Sequence, residues 1–99
     1  MPDDTEVRLC CLLWAHDGHE ADLRAYEDKV LALVPGTGGE LLQRVAGDGT
    51  NGQPHEVQIF RFPSQQALTT YLDDPRRTAL ADERDRAIAR TELFHVTFI

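Results

Sequence analysis

Two side chains set within apolar strands are the first candidates for chemistry. His95 lies in the middle of the run ELFHVTFI, where a titratable imidazole is a candidate general base. Arg61 lies in EVQIFRF, and an arginine among apolar neighbours can hold a carboxylate or an enolate oxygen. Each also has a structural interpretation, as a core or interface histidine and as an ion-pair partner. An enzymatic function would therefore use His95 as acid or base and Arg61 as anion stabiliser.

Three further residues are candidates for binding a substrate. Trp14 and Tyr26 can line an aromatic pocket for a planar ligand, although aromatic residues more often belong to the core. Arg44 can bind an anionic group of a ligand, or it can pair with Glu40 or Glu56 across a dimer seam. The pairing is the favoured interpretation for this arginine.

Neither a metal site nor a reactive thiol is expected. His16 and His19 stand beside Glu20, but no third ligand is suitably spaced, so a solvated turn is the favoured interpretation. Cys10 and Cys11 are adjacent within an apolar run, where they point to opposite faces of a strand and cannot easily form a disulfide. We therefore expect two free, inert thiols and no bound cofactor.

These candidates depend on the elements that carry them, and the stretch Glu56–Arg77 organises the rest of the chain. Apolar residues alternate on both faces from Val57 to Phe62, which predicts a central strand covered on both sides. Pro63 cannot donate to a sheet ladder, and Ser64 can cap the free amides of a following helix. That helix is expected to end before Pro75.

Further strands and helical runs surround this stretch. Asp17 is predicted to cap the first helix, whose apolar stripe leaves Arg24, Glu27 and Asp28 on the outward face. Met1–Thr5 is polar and is predicted to be frayed. In chain order, the sequence predicts strands Val7–Ala15, Glu40–Ala46 and Glu92–Ile99, a first helix that ends at Pro35, and a third helical run Arg77–Arg90.

The order of these elements predicts a ferredoxin-like βαββαβ fold of class α+β. Its four-stranded antiparallel sheet would carry both main helices on one face, because the crossovers are right-handed. Three of the strands are apolar on both faces, so the face without helices also needs a cover. We expect a single domain spanning residues 1–99 and a homodimer in which two sheets meet face to face.

The charge composition argues against two classes of binding partner. The 99 residues carry a formal net charge of -7, and no basic cluster offers a face to nucleic acid or to an anionic membrane. The longest apolar run, Leu9–Ala15, is too short to span a bilayer, and no leader peptide is expected at the acidic N-terminus. The sequence therefore predicts a cytoplasmic protein.

The segment Phe62–Leu80, FPSQQALTTYLDDPRRTAL, resembles the dimeric α/β-barrel superfamily, which includes the antibiotic-biosynthesis monooxygenase-like, stress-responsive barrel and DUF1330-like families. The resemblance implies a ferredoxin-like fold, a homodimer that closes an α/β barrel, and a pocket between the sheet and the helices. Haem-degrading members use an Asn, a Trp and a helical His. Trp14 ends the first strand, but Asn51 lies in a hairpin loop, so haem degradation is not expected.

Two functions follow from this resemblance and from the candidate residues. One is a cofactor-independent, monooxygenase-like or isomerase-like enzyme that acts on a small apolar or aromatic molecule. The alternative is a non-enzymatic homodimer that binds a small apolar ligand or has a structural role. The first function requires His95, Arg61, Trp14 and Tyr26 to converge on one cavity.

Overall fold

A computed structural model describes residues 6–99, and it confirms the ferredoxin-like βαββαβ order. The expectation for Met1–Thr5 lies outside the described residues. Two single turns of 3-10 helix, Pro35–Thr37 and Thr50–Gly52, flank the second strand. The strands are β1 (Val7–Ala15), β2 (Glu40–Ala46), β3 (Glu56–Phe62) and β4 (Ile88–His95), and the helices are α1 (Glu20–Leu31), α2 (Gln65–Leu72), α3 (Pro75–Thr78) and α4 (Ala81–Ala87).

The four strands form one antiparallel sheet in the order β2-β3-β1-β4. Leu9 of β1 pairs with Phe60 of β3 on one side and with His95 of β4 on the other. Because side chains alternate along a strand, this register gives the sheet two distinct faces. The helix face packs on the helices and carries Leu9, Cys11, Leu13, Gln58, Phe60 and Phe62, and the open face carries Cys10, Leu12, Trp14, Val57 and Ile59.

The core lies between the helix face and the helices. Five residues of α1 are buried at helical spacing, and an apolar stripe of this width is typical of a helix packed on a sheet. Phe62 contacts the ring of Tyr71 from α2, with ring centroids 5.8 Å apart. One prediction is wrong here, because Glu27 of α1 is only 5% exposed and points into the core. The buried residues of α1 are Leu23, Tyr26, Glu27, Val30 and Leu31.

The boundaries of α1 and β4 differ from those predicted. Helix α1 begins at Glu20 with His19 as its N-cap, and no side chain caps it, so Asp17 does not have the predicted role. Strand β4 starts at Ile88, which pairs with Ala15 after a β-bulge, and the strand therefore takes in residues that were predicted to be helical. The hydrogen bond from Val96 N to Arg8 O continues the contact beyond the end of the strand.

Several apolar side chains on or next to the sheet remain exposed. On the edge strand β4, Leu93 is 41% exposed on the helix face and Phe94 is 43% exposed on the open face. Val45 of β2, on the open face at the opposite edge, is 44% exposed. None of the described helices combines the length and the apolar character needed to cross a membrane.

Candidate functional site

A cavity lies between the helix face of the sheet and helices α1 and α2. It encloses about 50 Å³, enough for a few water molecules, and its volume is about 470 Å³ when counted out to its open mouth. The enclosed part is mainly apolar. The mouth is formed by Arg84, Thr91 and Leu93, and the apolar wall by Cys11, Leu13, Phe60, Phe62, Leu68 and Ile88.

Glu27 is the buried acid of this cavity. Its Oε1 accepts a hydrogen bond of 2.9 Å from Gln58 Nε2. Burial raises the pKa of the Glu27 carboxyl above its ordinary value of 4.5, and the hydrogen bond from Gln58 offsets only part of this effect. A carboxyl group with a raised pKa beside an apolar cavity can exchange a proton with a bound molecule.

Gln58 is held in place by a buried ion pair. Its Nε2 also donates to Glu56 Oε2 at 2.7 Å, and Glu56 is only 1% exposed. Arg44 neutralises this glutamate through a bond of 2.6 Å from Nε to Oε2, and its Nη1 lies 2.7 Å from Oδ1 of Asp28. A buried carboxylate needs a charged partner, and Arg44 supplies it for Glu56. The Glu56–Arg44 pair in turn fixes the Gln58 amide that contacts Glu27.

Arg77 brings a cation to the same cavity. Its Nη1 donates to the carbonyl oxygen of Leu72 at 3.3 Å, and the guanidinium lies 5.1 Å from the ring centroid of Tyr71. The Nε atom of Arg77 is buried, and it has no hydrogen-bond partner among residues 6–99. A buried donor without a partner costs about 1–3 kcal/mol.

Cys11 and Tyr71 complete the polar lining of the cavity. Burial raises the pKa of the Cys11 thiol to about 12 and that of the Tyr71 hydroxyl to about 12. Both groups therefore keep their protons at neutral pH, and Cys11 is a poor nucleophile. Glu27 is the group in this cavity best suited to proton transfer.

The structure separates the two residues predicted to do chemistry. His95 is on the helix face of the edge strand, exposed and outside the cavity lining. Arg61 is on the open face, where its Nε donates to Glu40 at 2.9 Å and its Nη1 to Glu6 at 3.1 Å. Because the sheet lies between them, they cannot act on one bound molecule within a protomer. Their catalytic roles remain predictions.

The three predicted binding residues are also apart. Trp14 is on the open face, where its Nε1 donates to the carbonyl oxygen of Gly52 at 2.9 Å and the guanidinium of Arg90 lies 4.4 Å from its ring centroid. Tyr26 is buried in the core and does not line the cavity. Arg44 pairs with Glu56, one of its two predicted partners, but the pair forms within the chain and not across a seam.

The two histidines near α1 lie close together at the turn before the helix. Their rings are 6.4 Å apart, and Nδ1 of His19 lies 2.7 Å from Oδ2 of Asp22. Among residues 6–99, no group of three or more side chains is arranged to bind a metal ion.

The sequence contained a signal for the burial of Glu27, but the charge of the residue led to the opposite prediction. Leu23, Tyr26, Val30 and Leu31 recur at helical spacing, and Glu27 occupies the remaining position of the same stripe. An acidic residue within an apolar stripe is buried with its neighbours and becomes a candidate functional group. No comparable signal was present for Arg77, which reaches the cavity because the chain turns after α2.

No protein-family model matches the chain, and no curated protein matches it in sequence. Solved structures do match it. A dimeric protein of unknown function with a ferredoxin-like fold from Bacteroides fragilis superposes with a TM-score of 0.69 at 10% identity, covering 94% of this chain and 96% of that one.

Two further similar structures come from proteins with named activities. An antibiotic biosynthesis monooxygenase-like protein of Bacteroides thetaiotaomicron has a TM-score of 0.74 at 12% identity, covering 98% of this chain and 92% of that one. SnoaB, a cofactor-independent oxygenase from Streptomyces nogalater, has a TM-score of 0.68 at 16% identity, covering 95% of each chain. These similarities confirm the predicted ferredoxin-like fold.

Proposed function

We propose that this protein is a homodimeric, cofactor-independent enzyme that removes a proton from a small apolar or aromatic carbonyl compound, with Glu27 as the acid and base. The observation that carries the proposal is the burial of the Glu27 carboxyl at an otherwise mainly apolar cavity. Burial raises the pKa of the Glu27 carboxyl, and a carboxylate with a raised pKa is a stronger base than an exposed one. The activity of SnoaB as a cofactor-independent oxygenase supports the same class of chemistry.

The proposed step is a balanced proton transfer. The ionised Glu27 carboxylate takes the proton from a carbon next to the substrate carbonyl, and the electron pair of the C–H bond passes into an enolate. Return of the proton to another carbon gives an isomerisation. Addition of dioxygen to the enolate carbon, followed by loss of water, converts a methylene group into a carbonyl group. That net reaction consumes one dioxygen and releases one water, so it needs no external reductant.

The hydrogen bond from Gln58 would orient the base during this step. The Gln58 amide is anchored on the ion pair of Glu56 and Arg44, so Glu27 cannot swing freely within the cavity. Holding a base in one orientation reduces the entropy lost on reaching the transition state. In this proposal Gln58, Glu56 and Arg44 are positioning residues, and Glu27 is the group that contacts the substrate.

Deuterium exchange tests the proposal without knowledge of the natural substrate. The probe is 2-tetralone, an aromatic ketone with acidic C–H groups, incubated in D2O and followed by proton NMR. We expect the wild-type protein to accelerate loss of the C–H signal and Glu27→Gln to exchange no faster than buffer. Glu20→Gln is the matched control on the exposed part of the same helix and should retain the wild-type rate. Equal rates for Glu27→Gln and the wild type would refute the role of Glu27.

A non-enzymatic function in ligand binding is the second candidate. The enclosed volume of about 50 Å³ lies below the roughly 300–1,000 Å³ of pockets for drug-sized ligands, so a bound molecule would have to be small or extend out of the mouth. If the function is binding alone, 2-tetralone would bind without any acceleration of exchange. Saturation-transfer NMR on the same samples separates binding from turnover.

The homodimer is proposed from the apolar open face. Residues of β1, β3 and β4 leave apolar surface on the side that has no helices, and burial of such surface is the main driving force of association. The dimeric protein from Bacteroides fragilis supports the same state. The two free cysteines fit the reducing cytoplasm proposed from the sequence.

A further inference from the structure

We infer that the cavity binds a small apolar anion whose charged oxygen accepts a hydrogen bond from Arg77. This inference rests on the proposed function, because it names the chemical class of the molecule that occupies the same cavity. It is carried by the charges of the lining residues and by one donor without a partner.

The charged side chains that line the cavity are Glu27, Arg77 and Arg84. Burial raises the pKa of Glu27, so this carboxyl is neutral over a wider pH range than an exposed glutamate. The mouth arginine, Arg84, faces the exposed carboxylate of Asp85 at 3.7 Å and donates to Thr91 Oγ1 at 3.4 Å. Among the described residues that line the cavity, Glu27 is the one acidic side chain, and no salt bridge joins it to Arg77.

Arg77 differs in this respect from other arginines of the fold. Arg44 pairs with Glu56, Arg61 with Glu40 and Arg76 with Asp74. The guanidinium of Arg77 instead lies beside the carbonyl oxygen of Leu72 and the ring and hydroxyl of Tyr71, while its buried Nε has no partner among residues 6–99. A buried guanidinium donor with a free hydrogen is suited to an anionic oxygen, because such bonds are stronger than those between neutral groups.

The remaining walls define the rest of the ligand. Cys11, Phe60, Phe62 and Leu68 offer an apolar surface, and the partly exposed Leu93 extends it to the mouth. A small hydrocarbon body would contact these walls while its anionic group lies near Arg77. The lining therefore favours small apolar carboxylates, phenolates and enolates over sugars or polyols.

Benzoate and benzamide are a matched pair of probes for this inference, since they have nearly the same shape and differ in charge. Their dissociation constants are measured at pH 7 by chemical-shift titration of the isotope-labelled protein. We expect benzoate to bind about tenfold or more tightly than benzamide, as a charge-assisted bond implies. Arg77→Met should lower the benzoate affinity to that of benzamide, and Arg77→Lys should retain part of the difference. Arg76→Met, which removes an exposed arginine from the same turn, should bind as the wild type does.

Three results would overturn the inference. They are equal binding of benzoate and benzamide to the wild type, no saturable binding of benzoate, and unchanged benzoate affinity in both Arg77 variants. The amide spectra show whether each variant is folded, and Arg77→Lys keeps the test valid if Arg77→Met is not. Measuring benzoate binding and deuterium exchange on the same wild-type protein separates this inference from the proposed function. Benzoate binding without catalysed exchange would leave the anion site standing and refute the enzyme.

Discussion

The proton on Glu27 couples the cavity to the stability of the whole fold. The folded chain holds this proton more tightly than the unfolded chain does, because the pKa of the buried carboxyl lies above 4.5. The resulting stabilisation is complete below pH 4.5 and is lost as the pH rises through the pKa of the folded state. Above that pKa, the fold must accommodate a buried negative charge.

The first prediction concerns this dependence on pH. Relative to Glu27→Gln, the wild-type protein should lose free energy of unfolding as the pH rises above 4.5, by about 1.4 kcal/mol for each pH unit within the titration window. Urea unfolding at one fixed protein concentration, repeated from pH 4 to pH 8, measures the difference. Glu20→Gln, at an exposed position, should follow the wild type. Parallel curves for the wild type and Glu27→Gln would show that the carboxyl is not perturbed.

At the residue scale, chemical type alone was a poor guide to the site. His95 and Arg61 are the kinds of residue that enzymes use, but the sheet places them on opposite faces. Glu27 was assigned to solvent because it is charged, while its position in the apolar stripe of α1 buries it. Periodicity determined the burial of this side chain more strongly than its polarity did.

At the scale of elements, strong local signals gave accurate boundaries. The predicted β1 and β2 agree with the structure, and β3 extends one residue further toward Glu56. Strand β4 was placed too late, because Ile88–Glu92 contains few residues with a preference for strands. Its position is set by pairing with β1, a contact distant in sequence that a local pattern cannot encode.

The N-cap of α2 is a local sequence signal whose contribution to the free energy of unfolding can be measured. Oγ of Ser64 accepts a hydrogen bond of 3.1 Å from Ala67 N, which confirms the predicted N-cap. Ser64→Ala should lower the free energy of unfolding by about 1 kcal/mol, because an amide of the first turn loses its partner. Ser64→Asp restores an acceptor and should recover most of the loss. Urea denaturation tests both, and an unchanged midpoint for Ser64→Ala would contradict the capping role.

At the scale of the whole molecule, the open face carries apolar side chains that no other part of the described chain covers. Its apolar side chains lie on three adjacent strands, and Ile59 occupies the centre of β3. The sequence predicted the need for a cover from the two apolar faces of the strands. It could not specify the partner, because the sheet pattern of one chain does not determine what packs on it.

The dimer can be tested with a single substitution. Native mass spectrometry should detect a dimer of the wild-type protein and a monomer of Ile59→Asp, since a buried carboxylate without a partner destabilises the interface. Thr69→Asp introduces the same charge at an exposed position of α2 and should remain dimeric. Circular dichroism establishes that each variant is folded. A monomeric wild type at micromolar concentration would exclude the proposed interface.

Trp14 gives this surface a spectroscopic signal of its own. It is the single tryptophan of the chain, and it lies on the open face with Arg90 against its ring. Its fluorescence therefore reports the polarity of the surface at which two protomers are proposed to meet. Dilution of the unlabelled protein should shift the emission toward longer wavelengths as the indole becomes hydrated, and the concentration at the midpoint would give the dissociation constant directly.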